Sequence, residues 1–203
     1  MKKRLLPLLL LPLLVLTACG DYAKADQTPP PTWAAYECHG LTFRFMAGWT
    51  PVSHEALQQA AGEVLTGLDS ENRLSLLGHY VSPLQATGTT NYLSLGYYTM
   101  TSDITAADLE GIMEELNNLD DVLSVDATDT QFLQKCRIRT YAGQPALTLA
   151  LRSVRGDVTM VSQASLIPQG RFLYLIVYSD FSTGEDNSVL EQLLTSLSLE
   201  NRP

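Results

Sequence analysis

Between residues 145 and 179 the chain alternates apolar runs with short polar breaks. The runs cover 145–154, 158–167 and 172–179, and the breaks are Gly156-Asp157 and Pro168-Gln169-Gly170. This is the punctuation of consecutive antiparallel strands joined by tight hairpins. The third run, Phe172-Leu173-Tyr174-Leu175-Ile176-Val177-Tyr178, is apolar at odd and even positions alike. Successive side chains of a strand face opposite sides of its sheet. The run therefore predicts a central strand with both faces covered.

Leu41-Thr42-Phe43-Arg44-Phe45 alternates strictly and predicts the first strand, ended by a turn at Gly48-Trp49-Thr50-Pro51. Ser53 is placed to cap a helix over 54–65, whose apolar stripe is Leu57, Ala60, Ala61, Val64, Leu65 and Leu68. Strands are predicted over 74–83 and 92–100. Thr105 with Asp108 forms a variant capping box, which opens a second helix striped by Leu109, Ile112, Met113, Leu116 and Leu119. Strands over 122–125 and 131–140 precede the hairpins. Val189, Leu190, Leu193, Leu194 and Leu197 mark a third helix, with Ser182 or Asp186 as its cap. The fold class expected is α+β: a mostly antiparallel sheet of about eight strands with three helices, read as a three-layer α/β/α sandwich. A sheet with helices on one face only is the alternative.

The N-terminus follows a different pattern. Lys2, Lys3 and Arg4 precede an apolar run from Leu5 to Leu16. That run is shorter than the about 20 residues of a membrane-spanning helix, and it reads as an export signal. It ends in Leu16-Thr17-Ala18-Cys19-Gly20, which resembles the lipobox of bacterial lipoproteins. The resemblance implies that residues 1–18 are removed and that Cys19, carrying a diacylglyceryl group, becomes the first residue. An ordinary secretory signal with a chance cysteine is the alternative. Residues 19–35, with Pro29-Pro30-Pro31, then read as an extended tether. Residues 36–203 read as one domain. The expected address is the extracytoplasmic face of a bacterial cell membrane, with lipid on Cys19 as the anchor.

The order of elements resembles the PsbP-like superfamily, which includes the photosystem II extrinsic protein and many bacterial lipoproteins. The resemblance rests on Leu41–Phe45 with Gly48-Trp49, on Gly143-Gln144-Pro145-Ala146, on Phe172–Tyr178 and on Leu193-Leu194-Thr195-Ser196-Leu197. The proline usual in the Pro-x-Gly-Trp turn is Met46 here. The resemblance implies an α/β/α domain that binds proteins or stabilises assemblies, with no shared catalytic centre.

Charge narrows the partners. The chain has 13 Lys+Arg and 22 Asp+Glu, a net charge of −9. Three of the cations lie in the signal, so ten cations face 22 acids after cleavage, a net −12. A chain this acidic is repelled by nucleic acid and by anionic headgroups. Attachment to the membrane falls to the lipid on Cys19. The remaining cysteines, Cys38 and Cys136, leave two readings open. One is a disulfide, worth on the order of 4–5 kcal/mol in the chain-entropy model. The other is a pair of buried free thiols.

Catalytic motifs are absent. His54-Glu55 begins like a zinc-protease helix, but Gln58 stands where the second histidine belongs. Cys38-His39 has no partner pair at zinc spacing, and His79 stands alone. There is no Gly-x-Ser-x-Gly elbow, phosphate-binding glycine loop or Cys-x-x-Cys pair. Glu114, Glu115, Asp120, Asp121, Asp126 and Asp129 form an acidic cluster that lacks the glycine and closing glutamate of an EF-hand. Tyr92, Tyr97, Tyr98, Tyr174 and Tyr178 fall on predicted strands and suit either a sheet interior or a binding surface. No catalytic residue, metal site or cofactor is expected. The expectation is a non-catalytic binding or assembly module for a protein or small-ligand partner. An envelope hydrolase with a dispersed site and an ion-binding accessory protein are the alternatives.

Overall fold

The computed structural model describes residues 33–38, 41–53, 74–83, 90–119, 122–125, 128–141, 143–181 and 188–199. In chain order the strands are β1 (Trp33–Cys38), β2 (Leu41–Met46), β3 (Thr50–Pro51), β4 (Leu74–Val81) and β5 (Tyr92–Thr99). After helix α1 (Ala106–Asn117) come β6 (Val122–Val125), β7 (Thr128–Tyr141), β8 (Gln144–Arg155), β9 (Val158–Gln169) and β10 (Phe172–Asp180). Helix α2 (Ser188–Thr195) and β11 (Ser198–Leu199) close the chain.

Eight strands form one sheet in the order β3-β4-β5-β10-β9-β8-β7-β6, and β1-β2-β11 form a second, smaller sheet. Every pairing is antiparallel. The predicted central strand is central: β10 is bonded to β5 on one side and to β9 on the other. Its alternation divides the protein. Leu173, Leu175 and Val177 enter one core with Leu109, Ile112 and Leu116 of α1. Tyr174, Ile176 and Tyr178 enter a second core with Leu41, Phe43 and Phe45 of β2 and Leu190, Leu193 and Leu194 of α2.

Both faces are thus covered, but not by helices alone. The α+β class holds, and the first face carries α1. The second carries a mixed layer in which α2 shares the cover with the small sheet. The reason lies in β2. Leu41, Phe43 and Phe45 are buried, whereas Arg44 between them is exposed. A strand with one wet face suits an outer layer, and a strand of the covered sheet needs two dry faces. The described residues contain two helices; the predicted helix over 54–65 lies outside them, as do the predicted caps Ser182 and Asp186. β1 begins at Trp33, inside the stretch read as tether, so folded structure starts ahead of residue 36.

Local signals hold where they were strongest. The Thr105 side chain accepts from the Asp108 backbone N–H at the start of α1, and the Asp108 carboxylate accepts from the Thr105 N–H, completing the capping box. The Thr105 hydroxyl, donating to Asp108 Oδ2 at 2.7 Å, and after it the Thr105 N–H hold the Asp108 carboxyl below its ordinary pKa. Gly48 takes φ +86°, a left-handed value that favours glycine, and lets the chain leave β2 for the large sheet. Trp49 then turns into the second core, edge-on to Phe45 at 4.8 Å between ring centroids. At the far end of α1, the Asn117 amide accepts from the backbone N–H of Cys136 at 2.7 Å and donates to its carbonyl at 2.9 Å. One side chain thereby takes the place of a neighbouring strand on β7, which limits unwanted edge pairing.

Candidate functional site

β7 has two bulges, one between Phe132 and Gln134 and one between Gln134 and Arg137. The register places Gln131, Gln134, Arg137 and Arg139 opposite Arg152, Ala150, Thr148 and Ala146 of β8. Cross-strand partners share a face. Ala146 belongs to the second core, so the whole row lies on the face that carries α2. Where the cover of α2 thins, this face changes from apolar to polar.

A cleft opens at that boundary, between α2 and the face of β7, β8 and β9. Its walls include Leu190 and Leu194, and its polar groups come from Gln134, Arg139, Tyr141, Thr148, Gln163 and Glu191. The space open to the centres of water molecules is ≈ 20 Å³, within ≈ 280 Å³ that includes the open mouth. One buried water needs about 10–15 Å³ on the first measure. The deep part therefore takes a small polar group, such as the end of a ligand, rather than a whole drug-sized molecule.

Arg139 and Glu191 form an ion pair at the mouth, with side chains 39% and 46% exposed. At that exposure the pair contributes little to stability. The Tyr141 hydroxyl and, after it, Glu191 hold the Arg139 guanidinium in its charged form. Deeper in, Thr148 is 6% exposed, and its Oγ1 has no hydrogen-bond partner among the described residues. Ser165, paired in register with Thr148 on β9, is fully buried with its Oγ in the same condition. Elsewhere the buried hydroxyls of this sheet are matched, as in Ser162–Ser179 at 2.8 Å and Thr130–Ser153 at 3.0 Å. Of the two, Thr148 lines the cleft and makes its floor polar.

The residues singled out from sequence lie elsewhere. Cys19, His39 and His54 are outside the described residues. Cys136 is a free thiol in the first core, and burial pushes it up to about 12, which leaves it inert as a nucleophile. Cys38 lies on β1, in the layer over the opposite face of the large sheet. His79 is 4% exposed in the first core, where Nδ1 meets Ser94 Oγ at 2.7 Å and the ring stacks on Tyr92. Burial lowers it to about 4, so it is neutral at physiological pH. Among the described residues no group of three or more His, Cys, Asp or Glu could hold a metal ion. Asp120, Asp121 and Asp126 of the acidic cluster have no described side chain. Tyr92, Tyr98, Tyr174 and Tyr178 are core residues, and Tyr97 is half-buried against Phe172 and Tyr174.

No family model matches the chain, so the PsbP-like kinship stays a resemblance. No curated protein matches it. The solved structures similar to it include two from bacteria. One is LpqN of Mycobacterium tuberculosis, described as involved in cell envelope biogenesis. It has a TM-score of 0.43 and 15% identity, over 74% of this chain and 90% of LpqN. The other is PA94 of Pseudomonas aeruginosa, a protein of unknown function. It has a TM-score of 0.43 and 12% identity, over 84% of this chain and 98% of PA94. At these scores neither neighbour bears on function.

The cleft residues were missed in the sequence because four elements bring them together. One signal was there to read. From Lys135 to Arg155 the chain carries five of the ten cations found beyond residue 18 and not one carboxylate.

Proposed function

We propose that this protein is a lipid-anchored, extracytoplasmic, non-catalytic binding module, held at a bacterial membrane through Cys19 and engaging a protein or small-ligand partner. The observation that supports the binding part is the polar cleft beside α2. A guanidinium, two amides, a phenol and an unmatched hydroxyl meet there, at the border of the second core. These groups orient and hold a ligand. His79 is committed to the core rather than to the cleft. The anchor is supported by the Leu16–Gly20 motif behind its basic and apolar segments, and no described helix is long and apolar enough to cross a membrane. The PsbP-like resemblance, with its implied role in assembly, agrees with this reading.

Growth with an alkyne-tagged palmitate tests the anchor. The full chain is expected to take up label and to sediment with membranes. Cys19→Ser is expected to lose the label and to keep the uncleaved signal. Label retained by Cys19→Ser would refute lipidation at this cysteine. Cross-linking of the full chain in membranes, followed by purification, tests the partner. A reproducible cross-linked species that disappears when the cleft is altered supports the module, and an identical profile from the altered chain refutes the cleft as its site.

A further inference from the structure

We propose that the cleft beside α2 is a receptor for an oxyanion, the carboxylate or phosphate end of a ligand, held by Arg139 at the mouth and Thr148 on the floor. This deepens the binding-module reading and rests on it.

The first observation is the Thr148 hydroxyl. It is more than nine-tenths buried, lines the cleft and meets no acceptor or donor among the described residues. A buried hydroxyl without a partner carries a desolvation cost, and a site that tolerates one has something to offer it. The second is the donor set. Arg139 presents a planar fork of N–H groups, which matches the two oxygens of a carboxylate or phosphate. Gln134 brings an amide donor to the same space, and Thr148 brings an O–H. Glu191 now meets Nη1 of Arg139, so a carboxylate already occupies one prong of the fork. An incoming oxyanion takes over that contact as Glu191 swings to solvent, at small cost because the pair is exposed.

The third observation is the local charge. Arg137 and Arg152 are exposed and stand on the same face as Arg139, opposite Thr148 and Val161. The β7–β8 hairpin is thus a cationic island on an acidic chain, and it draws anions toward the cleft mouth. The small deep volume admits one such group, while the open mouth leaves room for the rest of its molecule.

The test is calorimetric titration of the full chain in a neutral detergent, with inorganic phosphate and with acetate, at constant ionic strength set by chloride. Saturable heat with either probe is expected, and the probe that binds identifies the oxyanion. Arg139→Gln is expected to weaken binding about tenfold or more, as loss of a charge-assisted contact does. Thr148→Val keeps shape and removes the hydroxyl; it is expected to weaken binding several-fold without lowering the thermal midpoint. Glu191→Gln removes the competing carboxylate and is expected to tighten binding. No saturable heat with either probe overturns the proposal, as does binding that Arg139→Gln and Thr148→Val leave unchanged. A wider role as a binding module is read separately, from cross-linking in membranes, and survives that failure.

Discussion

Leu175→Ala and Ile176→Ala are each expected to lower the unfolding free energy by about 2–5 kcal/mol, the range for truncating a fully buried aliphatic side chain. The corresponding fall in thermal midpoint is roughly 4–20 °C for a chain of this size. The two residues are neighbours on β10 and point to opposite sides. Leu175 is 3% exposed in the core under α1, and Ile176 is 0% exposed in the core under β2 and α2. A sheet with one wet face would make one of the pair mild and the other severe. Two packed faces make both severe. Denaturant titration of the two variants measures this directly, and a cost below about 1 kcal/mol at either position would show that its face is not packed.

The second large effect is acid sensitivity centred on His79. Burial lowers this residue from 6.5 to about 4. Above pH 6.5 the imidazole is neutral in both the folded and the unfolded chain, and it contributes no pH dependence. As pH falls below 6.5 the unfolded chain takes up a proton that the folded chain refuses. Stability therefore declines from about pH 6.5 to about pH 4, by on the order of 3 kcal/mol in total. Below that, the folded imidazole is protonated too and its share of the slope ends. The double variant His79→Leu/Ser94→Ala removes both partners of the buried hydrogen bond, which avoids stranding one of them. Its stability is expected to fall less than that of the unaltered chain between pH 6.5 and pH 4. Parallel pH profiles for the two proteins would show that His79 is not the group responsible.

The sequence showed those elements whose physics is local. The doubly apolar run 172–178 announced β10, because no other arrangement removes both of its faces from water. Thr105 and Asp108 announced the start of α1, because a capping box needs only four consecutive residues. The small sheet was not readable in this way. Its partners lie far apart, with Leu41 and Thr42 opposite Leu199 and Ser198, and β11 has two residues. Alternation in β2 predicted a strand without naming its neighbour. β1 lay hidden behind the prolines of the apparent tether.

The cleft was obscured by a different cause. Each bulge in β7 adds residues to one strand without a match on the other, so the strict period of two is lost. The row Gln131, Gln134, Arg137 and Arg139 advances by three, three and two, and no simple alternation would place these side chains on one face. Pairing with β8 restores the order. The strands of this hairpin were predicted, and the accumulation of cations without carboxylates over residues 135–155 is the sequence feature that sets it apart as a site.

Native-state amide exchange across β10 tests the central claim, that a strand bonded on both sides runs between two packed layers. The N–H groups of a strand point alternately to its two neighbours, here β5 and β9. All amides from Leu173 to Tyr178 are therefore expected to exchange only through global unfolding, odd and even positions alike. Fast exchange at every second amide of this segment would place β10 at an edge and contradict the account.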